Sequence, residues 1–181
     1  MGVNMKKVTI SGHPGSGTST LVEGLCRHFS WTSINGGQIF RNEAHERGMT
    51  LAEFGELCVI DQSVDLLLDE KLRNYISDNL TNIIESRLAG WWGYKLQFDC
   101  VRIWLKVSEQ ERAKRVTKRE GITLDEAITA NKARLLVDNN RYEKMYNLTP
   151  DDPTPYTHII DATNITAEQV LDEVVKILGD E

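Results

Sequence analysis

Apolar positions along the chain form two alternating kinds of stretch. Short runs of strand length occupy residues 7–11, 31–34, 80–85, 100–107 and His158–Asp161. Between them lie longer stretches in which apolar residues return every three or four positions, the spacing of one helical face. Residues 62–75 are an example, with Val64, Leu67, Leu68 and Leu72 on one stripe. Five short strands separated by amphipathic helices predict an α/β fold, a doubly wound five-stranded parallel sheet with flanking helices.

Punctuation sharpens the boundaries. A helix over 19–29 follows a Gly-rich loop, Asn35-Gly36-Gly37 reads as a turn, and a helical stretch over 38–47 ends at Gly48. Capping boxes at Thr50/Glu53, Ser108/Glu111, Thr123/Glu126 and Thr166/Gln169 mark helix starts. The last three open helices that end near Arg119, Tyr146 and Leu178. Pro150, Pro153 and Pro155 mark a loop before the last strand.

Composition narrows the function class. With 181 residues and no internal repeat or linker, one domain with a sizeable core is expected. The formal net charge of -6 argues against a nucleic-acid surface, and no basic stripe interleaved with aromatics is present. Cys26, Cys58 and Cys100 lack metal-ligand or redox-motif spacing and read as reduced thiols. No apolar run has the length of a membrane span, and the first residues lack a secretory core, so a cytoplasmic protein without a membrane partner is expected. Trp91 and Trp92 suit core packing better than base stacking.

The chemistry starts at Gly12-His13-Pro14-Gly15-Ser16-Gly17-Thr18-Ser19, followed by Thr20, between the first strand and the first helix. Glycines let successive N–H groups curl around an anion, and the following helix adds the positive end of its dipole. This is the context of a phosphate-binding loop, with Ser19 where a hydroxyl reaches Mg²⁺. Thr18, however, stands where such loops carry a lysine, so the charge on the outer phosphates must come from elsewhere. Arg112, Arg115 and Arg119 share one helical face, and Arg134 and Arg141 share another on the next helix, with Gly121 at the tip between them. Such a pair forms an arginine lid over phosphates, against the alternative of a solvated charged face. Arg41, after the second strand, and Arg87, after the third, face a second, acceptor phosphate, because strand carboxyl ends border the crevice. Glu85 at the third strand's end could orient Mg²⁺-bound water or the attacking phosphate; the alternative is an exposed strand-end carboxylate.

From about Lys7 to Leu178 the chain resembles the archaeal-type cytidylate kinases of the nucleoside monophosphate kinase superfamily. The resemblance is carried by Ile10-Ser11-Gly12 with Pro14-Gly15-Ser16-Gly17, Gly37-Gln38-Ile39-Phe40-Arg41, Arg47-Gly48-Met49 with Glu53-Phe54, Arg87-Leu88-Ala89-Gly90-Trp91, Ile103-Trp104-Leu105-Lys106, Arg112-Ala113-Lys114-Arg115, Arg119-Glu120-Gly121-Ile122 with Glu126-Ala127, and Arg141-Tyr142. It implies a P-loop kinase fold with a helical acceptor-binding segment over about 36–79 and a short lid over about 112–141. It implies a monomeric enzyme that uses Mg²⁺ and ATP to phosphorylate CMP, and dCMP with it. Acceptor-phosphate roles fall to Arg41 and Arg87, and lid roles to Arg115, Arg119, Arg134 and Arg141. Two positions depart from the family pattern: Ser86 stands where Gly is common, and Leu72 where Gln is frequent.

Two other readings stay open on the residues. One is a kinase for another small acceptor such as AMP or UMP. The other is a nucleotide-binding module without turnover, which Thr18 and Ser86 favour. A GTPase is disfavoured, since Arg134 occupies the Asp position of the motif that Asn131-Lys132 begins.

Overall fold

The computed structural model describes residues 6–78 and 80–179. In chain order the elements are β1 (Val8–Gly12), α1 (Thr18–Phe29), β2 (Ser33–Asn35), α2 (Gly36–Glu46), α3 (Leu51–Ile60), α4 (Gln62–Ser77), β3 (Ile83–Glu85), α5 (Ala89–Lys95), β4 (Val101–Lys106), α6 (Glu109–Glu120), α7 (Leu124–Tyr146), β5 (His158–Asp161) and α8 (Ala167–Ile177). The strands form one five-stranded sheet in the order β2-β3-β1-β4-β5. Every pairing is parallel, with Ile10 of β1 opposite both Glu85 of β3 and Ile103 of β4. The doubly wound parallel sheet expected from the hydrophobic pattern is the observed fold.

The two-residue period of the strands divides the core. Val8 and Ile10 of β1, Ile83 of β3, and Ile103 and Leu105 of β4 pack with Leu21 and Leu25 of α1 and Val170 and Val174 of α8. The next residue of β3, Ile84, joins the other cluster, with Ile39 of α2, Leu72 and Ile76 of α4, and Trp91 and Trp92 of α5. Each fully buried Ile or Leu contributes about 1.5–3 kcal/mol relative to exposure. Both indoles are therefore core residues. Trp91 also donates its Nε1–H to the Thr149 carbonyl at 2.8 Å, tying α5 to the chain beyond α7. Cys26, Cys58 and Cys100 are free thiols. No helix among the described residues is long and apolar enough to cross a membrane.

Beyond shifts of one or two residues at other element ends, three stretches differ from the sequence reading. Asn35-Gly36-Gly37 is not a turn: the Asn35 side chain accepts from the Gln38 N–H at 2.7 Å and caps α2, which begins at Gly36. The third strand starts at Ile83 because Asp78 Oδ1 accepts from the Leu80 and Thr81 N–H groups, closing a turn that leaves Leu80 exposed. The short helix α5 had no periodic signal; it forms where Ala-Gly-Trp-Trp-Gly is buried between α4 and the sheet.

Candidate functional site

Because all strands are parallel, the carboxyl ends of β1, β2 and β3 open on one edge, where Asn35 and Glu85 are paired and Gly12 lies two residues beyond Glu85's partner Ile10. The loop leaving β1 is fixed by two left-handed glycines, Gly15 at φ +82 and Gly17 at φ +90. A Cβ on Gly15 would stand 2.8 Å from the Arg112 carbonyl oxygen, so the position excludes a side chain twice over. The His13 carbonyl accepts from the Ser16 N–H at 3.1 Å and from its hydroxyl at 2.5 Å, which closes the turn. At the start of α1, Gly17 offers no capping side chain and the first turn contains no acidic residue. Its terminal N–H groups are thus left for an anion, with the helix dipole reinforcing them.

Three arginines donate to backbone carbonyls of the loop. Arg87 Nη1 donates to the Gly12 carbonyl at 3.2 Å, Arg112 Nη1 to that of Pro14 at 3.3 Å, and Arg115 Nη1 to that of Ser16 at 3.0 Å. Arg112 is buried and spends its Nε on the Val107 carbonyl; Arg115 spends its Nη2 on the Ala162 carbonyl and pairs with Glu111. The loop's carbonyls at 12, 14 and 16 are taken up by cations, so what the loop presents to a ligand is N–H. Desolvation pulls the Arg112 guanidinium below its ordinary value. His13, at the root of the loop, contacts Asp151 at 3.3 Å, and burial lowers its pKa despite that carboxylate.

In front of the loop lies a cleft of about 1000 Å³. Of the residues singled out from sequence, Gly12, His13, Pro14, Gly15, Gly17, Thr18, Ser19, Thr20, Arg41, Glu85, Arg87, Arg119, Arg134 and Arg141 line it. Ser16 and Arg115 do not; they line a separate cavity of about 290 Å³ across the loop, bordered also by Gly17, Thr20 and Thr166. Ser19 Oγ donates to Glu85 Oε1 at 2.8 Å. A hydroxyl and a carboxylate at a phosphate loop are hard oxygen donors that fit Mg²⁺, an ion that keeps most of its waters and takes few protein ligands. No group of three or more His, Cys, Asp or Glu side chains that could hold a metal ion occurs among the described residues.

The cleft's cations differ in how they are held. Arg41 is exposed on α2, with Nη2 donating to Gln38 Oε1 at 3.1 Å. Arg87 pairs with Asp138 of α7 at 2.9 Å, and Arg141 of α7 pairs with Asp65 of α4 at 2.8 Å. Arg119 and Arg134 are exposed, Arg119 meeting only its neighbour Glu120 at 2.5 Å among the described ion pairs. Sequence reasoning missed Asp65, Asp69 and Asp138, which also line the cleft. A signal existed: Asp65 and Asp69 are four apart, on the same helix side as the cleft-facing members of the Leu68–Leu72 stripe. Desolvation raises the pKa of both, against Arg141 at Asp65 and against the Tyr146 hydrogen bond at Asp69.

A parallel sheet in this order, with an anion-binding loop at its central strand and arginines converging from three elements, defines a P-loop kinase fold. Solved structures agree on the fold: shikimate kinase from Bacteroides thetaiotaomicron has a TM-score of 0.63 at 15% identity, covering 96% of this chain and 98% of that one. A gluconokinase from Sinorhizobium meliloti has a TM-score of 0.62 at 14% identity, covering 97% and 92%. The family model described as an AAA domain matches residues 8–143. Curated relatives include a cytidylate kinase from Methanospirillum hungatei, 39% identical over 165 residues and 91% of each chain. Another, from Halobacterium salinarum, is 39% identical over 168 residues, 93% of this chain and 86% of that one. The chain belongs to the cytidylate kinase family.

Proposed function

We propose that this protein transfers the γ-phosphoryl group of ATP to CMP, and to dCMP, giving the diphosphate and ADP. The observation that carries the reading is the meeting of the N–H-presenting loop, the Ser19–Glu85 pair and Arg41, Arg87 and Arg141 in one cleft. Family membership supports the acceptor. A small-nucleotide enzyme working as a cytoplasmic monomer completes the reading.

Phosphoryl transfer asks the protein for in-line positioning and charge neutralisation rather than covalent chemistry. In this reading the N–H groups from Gly15 to Ser19 hold the donor phosphates. Ser19 and Glu85 would hold Mg²⁺, which would supply charge neutralisation for the donor phosphates. Arg41 on α2 and Arg87 just beyond β3 hold the acceptor phosphate in line. The segment α2–α4 carries the acceptor, and α6–α7 act as the lid. Arg119, Arg134 and Arg141 then supply the positive charge that Thr18 does not. Substrate phosphate replaces Asp138 at Arg87 and Asp65 at Arg141, the carboxylates that orient the two guanidinium groups. Arg115 faces the smaller cavity, and its role is to hold the loop through the Ser16 carbonyl. Closure excludes water and suppresses hydrolysis of ATP.

The test is ADP formation from Mg·ATP with CMP, dCMP, UMP, AMP or GMP, and without acceptor. Turnover with CMP and dCMP well above the rest is the expected result. Turnover with AMP or UMP instead would reassign the acceptor, and ATP binding without turnover would leave a nucleotide-binding module, the reading Thr18 favours.

A further inference from the structure

The cleft contains carboxylates that phosphate chemistry does not call for. Asp65 and Asp69 lie one turn apart on α4 and both line it. Beside two anionic substrates, an acidic side chain weakens binding unless it does something else. For Asp65 that other role is visible, since its Oδ1 accepts from Arg141 Nη1 at 2.8 Å. Asp69 differs. Its Oδ2 accepts the Tyr146 hydroxyl at 2.5 Å, while no described residue donates a hydrogen bond to its Oδ1.

The surroundings say what is missing. Ile39 of α2 and Leu68 and Leu72 of α4 pack in one apolar cluster, Phe40 and Leu68 pack against the next, and all four line the cleft, a setting for a flat ring rather than a phosphate. A carboxylate is acceptor-only. Desolvation raises the pKa of Asp69, the Tyr146 bond opposing it, and a further donor would favour the carboxylate form. Leu72, buried and apolar on the same helix, cannot read a base edge.

We infer that Asp69 selects the acceptor base by accepting a hydrogen bond from an exocyclic amino group on the ring, with Tyr146 holding the carboxylate in position. The inference rests on the nucleotide-acceptor reading above. Cytosine offers an N4 amino donor at that edge, whereas a uracil-type ring offers an O4 acceptor, which would set acceptor against acceptor in a desolvated place. Sites built to pair with one polar group reject the mismatched analogue strongly, by up to about 10⁴–10⁵-fold.

The experiment compares kcat/KM for CMP and UMP in the wild type, Asp69→Asn and Tyr146→Phe, with calorimetric binding of both nucleotides and a melting curve for each variant. An amide at 69 presents a donor as well as an acceptor, so the CMP:UMP ratio should fall at least ~10²-fold in Asp69→Asn, part of the fall arising from gained UMP turnover. Tyr146→Phe removes only the positioning bond; KM for CMP should rise several-fold with kcat nearly unchanged, roughly the cost of one hydrogen bond. A CMP:UMP ratio within about twofold of wild type in folded Asp69→Asn, even with general activity lost, would overturn the inference and leave Asp69 a packing residue. If Asp69→Asn does not fold, Tyr146→Phe decides: an unchanged KM for CMP overturns it. Failure of the cytidylate reading itself is seen separately, in the wild type alone, as the absence of CMP turnover.

Discussion

The arginines of α6 and those of the cleft rim make an instructive pair. Arg112 and Arg115 are engaged by backbone carbonyls of the phosphate loop and of the strand ends, at 2.7–3.3 Å. One turn further along the same helix, Arg119 is exposed to the cleft, as is Arg134 on α7. Arg112, Arg115 and Arg119 share one helical face, and their chemistry is the same. What separates them is distance from the sheet: the first turns of α6 lie against the loop and end as part of its foundation, while the last turn projects past it. Arginine near a phosphate loop therefore has two uses. It can shape the loop by binding its carbonyls, or it can bind what the loop binds.

Substitutions separate the two uses. The largest expected effect is on catalysis, from Arg141→Ala, which should lower turnover at least ~10²-fold, the scale of one lost electrostatic contact to a transferring group. It also strands Asp65 without its partner, so the Arg141→Lys variant, which keeps the charge, should recover part of the loss. Steady-state kinetics with CMP check both. Next comes a stability effect without a lid role: Arg112→Leu leaves two buried carbonyls unpaired and should cost about 2–4 kcal/mol in urea unfolding. Exposed Arg134→Ala should cost less than about 0.5 kcal/mol in the same assay while slowing turnover. Equal stability losses for the two would erase the distinction between foundation and rim.

The smallest effect concerns the root of the loop. Burial depresses the His13 pKa below 6.5. The unfolded chain then takes up this proton more readily than the native one, so the contribution is full above the unfolded value and is lost as the pH falls through the folded one. His13→Gln should remove a small part of the acid-side drop in melting temperature, about 1–2 °C between pH 7 and pH 5. An identical pH profile for variant and wild type would mean that Asp151 compensates the burial fully.

Much of this was legible in the chain. Strand and helix order followed from periodicity, and the loop from its glycines in a strand-to-helix context. What was not legible depends on tertiary placement. Spacing put Arg112, Arg115 and Arg119 on one face but could not say where the sheet edge would cut across it. Asn35-Gly36-Gly37 has the composition of a turn, and only the Asn35 side chain bonded to the Gln38 N–H makes it a helix start. Helix α5 carries two glycines in seven residues and owes its existence to burial rather than propensity. Asp65 and Asp69 share a face with Leu68 and Leu72, but nothing in α4 alone shows that α7 delivers Arg141 and Tyr146 to them.

The central claim is that a loop with Thr18 in the lysine position still supports phosphoryl transfer, because arginines from other elements supply the charge. Its most direct test is a single-turnover experiment with ATP labelled at the γ-phosphate, enzyme in excess and CMP saturating. The account predicts that the label appears in the β-phosphate of CDP, with little inorganic phosphate. Label that stays in bound ATP, or that appears only as inorganic phosphate, would contradict it.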